Sequence, residues 1–168
     1  EQEPILLDKF RTSSGDGYTG LPDTSITSRY GHYNLLQFDF HLILKLKTEI
    51  FNGIKTILSV SDNITWQETL YASCWFNVLR QGDHMEVHSH GYHENSFYGF
   101  HLTISAIETF TSYYHPIKFQ NETYHIPNII GILTLFPNFI PHSVTPNNHE
   151  TPRISIAGDI YTESWLDE

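Results

Sequence analysis

Histidines are concentrated between residues 84 and 101, and two of them, His88 and His90, are separated by a single residue. In an extended strand, side chains two positions apart point to the same face, so this spacing aims two imidazoles at one point. Neutral imidazole is a ligand for zinc, iron, copper and nickel, and the pair therefore predicts a metal site. Two ligands rarely complete such a site, so we expect a third from elsewhere in the chain.

His142 is the candidate for that third ligand. It stands in Pro-His-Ser-Val-Thr-Pro, residues 141–146, where a strand is expected to begin after a tight turn. Eleven residues later, an alternating strand would carry Arg153, Ser155 and Ala157 on one face. An arginine in an apolar strand is either paired with an acid or available to an anion, and guanidinium binds a carboxylate through two parallel hydrogen bonds.

The composition narrows the classes of function. The chain has 168 residues, a length typical of one domain, and its net charge of −10 argues against nucleic acid or an anionic membrane surface as a partner. Cys74 is the only cysteine, which excludes an internal disulfide and a thiolate metal cluster. The sequence has no apolar run of membrane-spanning length, and residues 1–10 lack the pattern of a secretory signal. We therefore expect a cytoplasmic protein.

Hydrophobic periodicity divides the chain into three parts. Residues 1–34 are rich in turn-forming residues, and residues 11–25 predict a loop or an arm with turns. Apolar residues at intervals of three and four predict an amphipathic helix over 36–59. Short strands follow, which favours an all-β sandwich or jelly roll with the helix against an outer face. The expected strands are 68–79, 84–90, 96–106, 108–117, 131–136, 140–146 and 151–161.

This succession resembles the Fe(II)/2-oxoglutarate-dependent dioxygenases, and more narrowly a family of 2OG-Fe(II) oxygenases found in bacteria and marine phages. The resemblance covers roughly residues 75–160 and is most specific in its last block. The residues that carry it are Trp75, Asn77, Gly82, His88-Ser89-His90, Ser96, Tyr98, Gly131-Ile132-Leu133-Thr134-Leu135-Phe136-Pro137, His142-Ser143-Val144-Thr145-Pro146 and Arg153-Ile154-Ser155.

The family resemblance implies a double-stranded β-helix, a cupin-like jelly roll with the N-terminal helix packed outside. We expect one domain over 1–168, with an arm and helix at 1–65 and the dioxygenase core at 66–163. The implied activity is hydroxylation of a C–H bond with release of succinate and CO2, in the host cytoplasm if a phage encodes the protein. The substrate, a small molecule or a protein, is not identified by the sequence, and a homodimer is possible.

The resemblance also implies roles for individual residues. Iron would be held by His88, His90 and His142. The co-substrate 2-oxoglutarate would be held by Arg153 and Ser155, with Asn77 and Tyr98 as weaker candidates for the pocket wall. Most of the wider superfamily has a carboxylate where His90 stands. The nearby carboxylates Glu94, Glu86 and Asp83 therefore stay open as replacements for one histidine.

Two other functions fit the same pattern. A cupin-type enzyme could use a three-histidine metal site without 2-oxoglutarate, and a jelly roll could bind a metal or a sugar without catalysis. The pair Arg153 and Ser155 favours the dioxygenase, because a cupin enzyme has no need of an arginine there. Of the other histidines, His84 and His93 are expected at the surface. Five further histidines are expected to be structural, namely His32, His41, His115, His125 and His149.

Overall fold

The computed structural model describes residues 2–15, 17–60, 69–90, 96–118 and 122–162. Within these ranges the chain forms two four-stranded antiparallel sheets and two α-helices. The helices are α1 (Gln2–Lys9) and α2 (His41–Val60), with 3-10 turns at Thr27–His32 and Leu35–Gln37. The strands are β1 (Leu70–Leu79), β2 (Met85–His88), β3 (Ser96–Ser105), β4 (Phe110–Tyr114), β5 (Thr123–Pro127), β6 (Leu133–Pro137), β7 (His142–Val144) and β8 (Arg153–Thr162).

The strand order confirms the predicted jelly roll. One sheet runs β1-β8-β3-β6 and the other β2-β7-β4-β5. Most pairs join strands distant in sequence, and the chain alternates between the sheets except at the hairpin of β4 and β5. This interleaving is that of a double-stranded β-helix. The long strand β8 lies between β1 and β3, which fixes both of its edges by hydrogen bonds.

Helix α2 covers the outer face of the sheet that contains β8. Leu46, Ile50 and Ile54 recur at intervals of four and are buried on one side of the helix, as the sequence pattern predicts. They join a core that includes Phe100 from β3. The helix begins at His41 rather than near residue 36, because the preceding residues form a short 3-10 turn instead. No helix in the part of the chain described is long and apolar enough to cross a membrane.

The N-terminal segment has more regular structure than the sequence predicts. Helix α1 was not predicted from the sequence; it buries Leu6 and carries an ion pair between Glu3 and Arg80 at 3.0 Å. Further along, the buried guanidinium of Arg29 orders the segment: its Nε donates to the carbonyl of Phe10 at 2.6 Å. Contacts between residues far apart in sequence thus hold the arm in place.

Candidate metal centre

Two of the three candidate ligands face each other across neighbouring strands. His88 is the last residue of β2, His142 is the first of β7, and the two are paired in register. Their ring centroids are 4.4 Å apart. With His90 they form a cluster in which one ring nitrogen from each residue lies within 4.8 Å of the others. The sheet register therefore brings His88 and His142 together, and His90 completes the cluster of three histidines that the sequence singles out.

His90 reaches the cluster from a loop. The prediction that one strand carries both His88 and His90 is wrong, because β2 ends at His88. The backbone N–H of His90 donates to the carbonyl of Asn138 at 3.2 Å. Asn138 is itself buried, and its side-chain amide donates to the hydroxyl of Ser96 at 2.6 Å. These hydrogen bonds anchor the loop to β3. The ring centroid of His90 lies 5.1 Å from that of His142.

Hydrogen bonds at Nδ1 leave Nε2 as the donor atom of His88 and His142. Nδ1 of His88 lies 2.8 Å from the carbonyl oxygen of Glu86, and Nδ1 of His142 lies 3.1 Å from that of Ile140. Carbonyl oxygens only accept, so Nδ1 carries the proton and the Nε2 lone pair is available to a metal. Burial lowers the pKa of His142 well below its usual value, and nearby His88 and His90 lower it further, which keeps this imidazole neutral.

His90 is supported differently, by a carboxylate. Its Nδ1 lies 2.5 Å from Oδ1 of Asp159, a residue of β8 that the sequence analysis did not consider. A carboxylate accepts the Nδ1 proton of His90, so a neutral ring in this position presents its Nε2 lone pair to a metal. Three imidazoles whose Nδ1 atoms are occupied by acceptors are a donor set for a divalent transition metal, so the residues present fit such an ion.

Two of the carboxylates proposed as replacements, Asp83 and Glu86, lie elsewhere. Asp83 accepts from the backbone N–H of Arg80 at 2.8 Å, and the Glu86 side chain pairs with His84 at 2.9 Å on the surface. Neither belongs to the histidine cluster. Glu94, like His93, falls at residues 91–95, outside the described residues.

The side chain of Arg153 is buried, with 2% of the residue exposed. No described carboxylate forms an ion pair with it. One Nη1 hydrogen donates to the hydroxyl of Ser155 at 3.1 Å, while Nε has no partner among the described residues. Burial lowers its pKa to about 10, so the guanidinium is still charged at neutral pH. Of the two states that the sequence leaves open, this geometry matches an arginine available to an anion.

The histidines and Arg153 share one cavity of about 640 Å³. Ser155 and Asn77 line the same cavity, and Asn77 is buried with its Oδ1 lacking a partner within the described ranges. Tyr98 lies elsewhere: it packs against the core beneath α2, on the outer side of the sheet. The candidate pocket therefore contains Asn77 but not Tyr98.

His101 and Tyr113 are further polar residues at this site that the sequence analysis missed. His101 lines the cavity, and its Nε2 is hydrogen-bonded to the hydroxyl of Tyr113 at 2.6 Å. Burial, and then the charge of Arg153, lower the pKa of His101 to about 3, and burial raises the pKa of Tyr113. Both groups are neutral at pH 7, so they leave the positive charge of Arg153 uncompensated.

Comparison with known proteins places the fold. No protein-family model and no curated protein sequence matches the chain. A prolyl-4-hydroxylase from Pseudomonas putida superposes with a TM-score of 0.52 at 13% identity, covering 69% of this chain and 64% of that one. A prolyl hydroxylase from Trichoplax adhaerens, in complex with a peptide fragment of the hypoxia inducible factor oxygen degradation domain, gives 0.53 at 14% identity, covering 71% and 58%. The matched region spans less than two thirds of each of these two hydroxylases, and the similarity is one of fold.

Proposed function

We propose that this protein is an Fe(II)- and 2-oxoglutarate-dependent dioxygenase of the bacterial and marine-phage type that its motifs resemble. It would hydroxylate a C–H bond of a small molecule or protein. His88, His90 and His142 would hold the iron through Nε2. Bound iron, with O2 and 2-oxoglutarate, would supply the oxidising chemistry and yield succinate and CO2 beside the hydroxylated product.

The remaining residues of the cavity would bind and orient the co-substrate. Arg153 would hold the distal carboxylate of 2-oxoglutarate by a bidentate, charge-assisted pair. Ser155 is already hydrogen-bonded to Nη1 of Arg153 and would donate its hydroxyl proton to the same carboxylate. The amide of Asn77 would contribute from the wall. Because these groups come from the paired strands β1 and β8, their positions are rigid before the co-substrate arrives.

The observation that carries this proposal is a charged, buried Arg153 in the same cavity as the histidine cluster. Burial of an unpaired charge is costly, and a ligand carboxylate would remove that cost. The fold alone does not decide the function, since jelly rolls also host cupin-type metal enzymes and non-catalytic binding proteins. A cupin-type enzyme that does not use 2-oxoglutarate has no need of a cation at this depth, and Arg153 therefore favours the dioxygenase over it.

The test is a titration of 2-oxoglutarate into Mn(II)-loaded wild type, Arg153→Ala and Arg153→Lys, followed by measurement of succinate release with iron. Truncating one partner of a buried charge pair costs about 2–5 kcal/mol, so Arg153→Ala should weaken 2-oxoglutarate binding roughly 30- to 1,000-fold or more. Arg153→Lys should recover part of the affinity, because an ammonium lacks the planar fork.

Metal affinity without co-substrate serves as the control and should be nearly equal in the three proteins, since Arg153 is not a ligand. Equal 2-oxoglutarate affinity in wild type and Arg153→Ala would contradict the proposal and favour the cupin-type enzyme. Absence of 2-oxoglutarate binding to metal-loaded wild type would lead to the same conclusion.

A further inference from the structure

We propose that Asp159 is a positioning residue for the metal centre: it fixes the ring of His90 and supplies the negative charge that three neutral imidazoles lack. This inference rests on the proposed metal site. Oδ1 of Asp159 lies 2.5 Å from Nδ1 of His90, and the two side chains are only 22% and 10% exposed. A hydrogen bond between a ring N–H and a carboxylate in such partial burial is stronger than one to a neutral acceptor.

The position of Asp159 on β8 makes it a rigid support. Alternation along the strand puts Asp159 on the cavity face together with Arg153 and Ser155, and all three line the cavity. Asp159 is paired with Ser73 of β1 on one side and Gly99 of β3 on the other. The single strand β8 would therefore hold Arg153, which binds the co-substrate, and Asp159, which orients His90, at a fixed separation.

The other two candidate ligands have local supports. His88 and His142 each direct Nδ1 to the carbonyl two residues earlier, so the conformation of their own segments orients the rings. His90 lies outside any strand, and the residue that orients its ring is 69 positions away in sequence. Without Asp159, the ring of His90 would keep its packing against Trp75 and Phe136 but would lose the hydrogen bond that directs Nε2 at the other two nitrogens.

Charge gives Asp159 a second effect. A divalent ion bound by two histidines and one carboxylate has a net charge of +1, counted with its ligands. The same ion bound by three neutral histidines has a net charge of +2. A carboxylate hydrogen-bonded behind His90 returns the combined charge to one and makes the imidazole a stronger donor. The usual carboxylate ligand would thus be replaced by a histidine that has a carboxylate behind it.

The experiment titrates Co(II) into the full chain and its variants Asp159→Ala and Asp159→Asn, with Asp39→Asn as the matched control. Asp39 is exposed and outside the cavity, so it loses the same charge without touching a ligand. Loss of a support behind a ligand costs about 10- to 100-fold in metal affinity, which we expect for Asp159→Ala. Asp159→Asn keeps an acceptor oxygen and should lose less, and Asp39→Asn should match the wild type.

A spectroscopic readout separates positioning from a merely structural role. In the Co(II)-loaded wild type, the Nδ1 protons of three ligating imidazoles should appear as hyperfine-shifted, exchangeable NMR signals. Asp159→Ala should lose the His90 signal by fast solvent exchange and keep the other two, whereas Asp159→Asn should retain it. Melting of each metal-free variant reports any general loss of stability.

The outcomes distinguish this inference from the metal site itself. If wild type and Asp159→Ala bind Co(II) equally and both show three exchangeable signals, the role of Asp159 is overturned while the metal site stands. If the folded wild type binds Co(II) no better than His142→Ala, the metal site is overturned, and the role of Asp159 with it.

Discussion

Two buried arginines in this protein have opposite surroundings. Arg29 is 6% exposed and donates to the carbonyls of Phe10, Arg11 and Asp23, so its charge is enclosed by acceptors. Arg153 is 2% exposed, and its one hydrogen-bond partner among the described residues is the hydroxyl of Ser155. At the level of single residues, Arg29 serves the fold, whereas the surroundings of Arg153 leave it suited to a ligand.

We therefore predict that Arg153→Met leaves the ligand-free protein equally stable or stabilises it by about 1–2 kcal/mol, because a buried charge gives way to an apolar chain of similar length. Arg29→Met should destabilise by about 2–4 kcal/mol, because several carbonyls lose their donors. Urea unfolding of both variants, free of metal and 2-oxoglutarate, measures the difference. Equal destabilisation by the two changes would show that Arg153 is a structural residue.

The sequence indicated the residues whose spacing alone defines a shared face or a known motif. Arg153 and Ser155 follow from alternation along β8, and continuing that alternation by four residues would also have pointed to Asp159. His101 and Tyr113 could not be found in this way. Their significance comes from a hydrogen bond between strands of different sheets, and no pattern within either strand records it.

At the scale of elements, prediction succeeded where a buried face imposes a period. Helix α2 and the long strands β1, β3 and β8 have such faces, and all were expected close to their observed positions. Strand β5 was missed because four of its five residues are exposed, so burial imposes no alternation there. Helix α1 was missed because its one buried residue gives no helical period. Both elements are held by contacts with other parts of the chain: β5 pairs with β4, and Leu6 of α1 packs against Ile26 and Val78.

The contact of α2 with the sheet supports the cavity from behind. Ile54 is fully buried in the helix interface, and Phe100 both belongs to this core and lines the cavity. Ile54→Ala should destabilise by about 2–5 kcal/mol through lost burial and the cavity left behind. The exposed neighbour Lys55→Ala should change the free energy of unfolding by less than about 0.5 kcal/mol. Chemical denaturation checks both, and a similarly small effect of Ile54→Ala would show that α2 is not anchored as described.

At the scale of the whole molecule, neutral buried histidines make the fold sensitive to acid. The pKa of His101 is about 3 in the folded protein, against about 6.5 for an unperturbed imidazole, and burial also lowers the pKa of His142. Between these values the unfolded chain binds protons that the folded chain does not. Stability is therefore fully present above about pH 6.5 and falls as the pH decreases toward 3.

His101→Gln should reduce this acid sensitivity, since a residue that does not titrate replaces one that must stay neutral to remain buried. Each such histidine contributes up to about 1.4 kcal/mol per pH unit to the slope of stability against pH. The measurement is urea unfolding of the metal-free protein at pH 7.5, 6.5, 5.5 and 4.5. His41→Gln, at an exposed position, should give the slope of the wild type. Loss of the hydrogen bond to Tyr113 will lower the stability of His101→Gln at every pH. The slope of stability against pH becomes shallower only if the folded and unfolded chains no longer differ in the protons they bind at this position. A slope for His101→Gln parallel to that of the wild type would mean that His101 binds protons to the same extent in the folded and unfolded chains over this pH range.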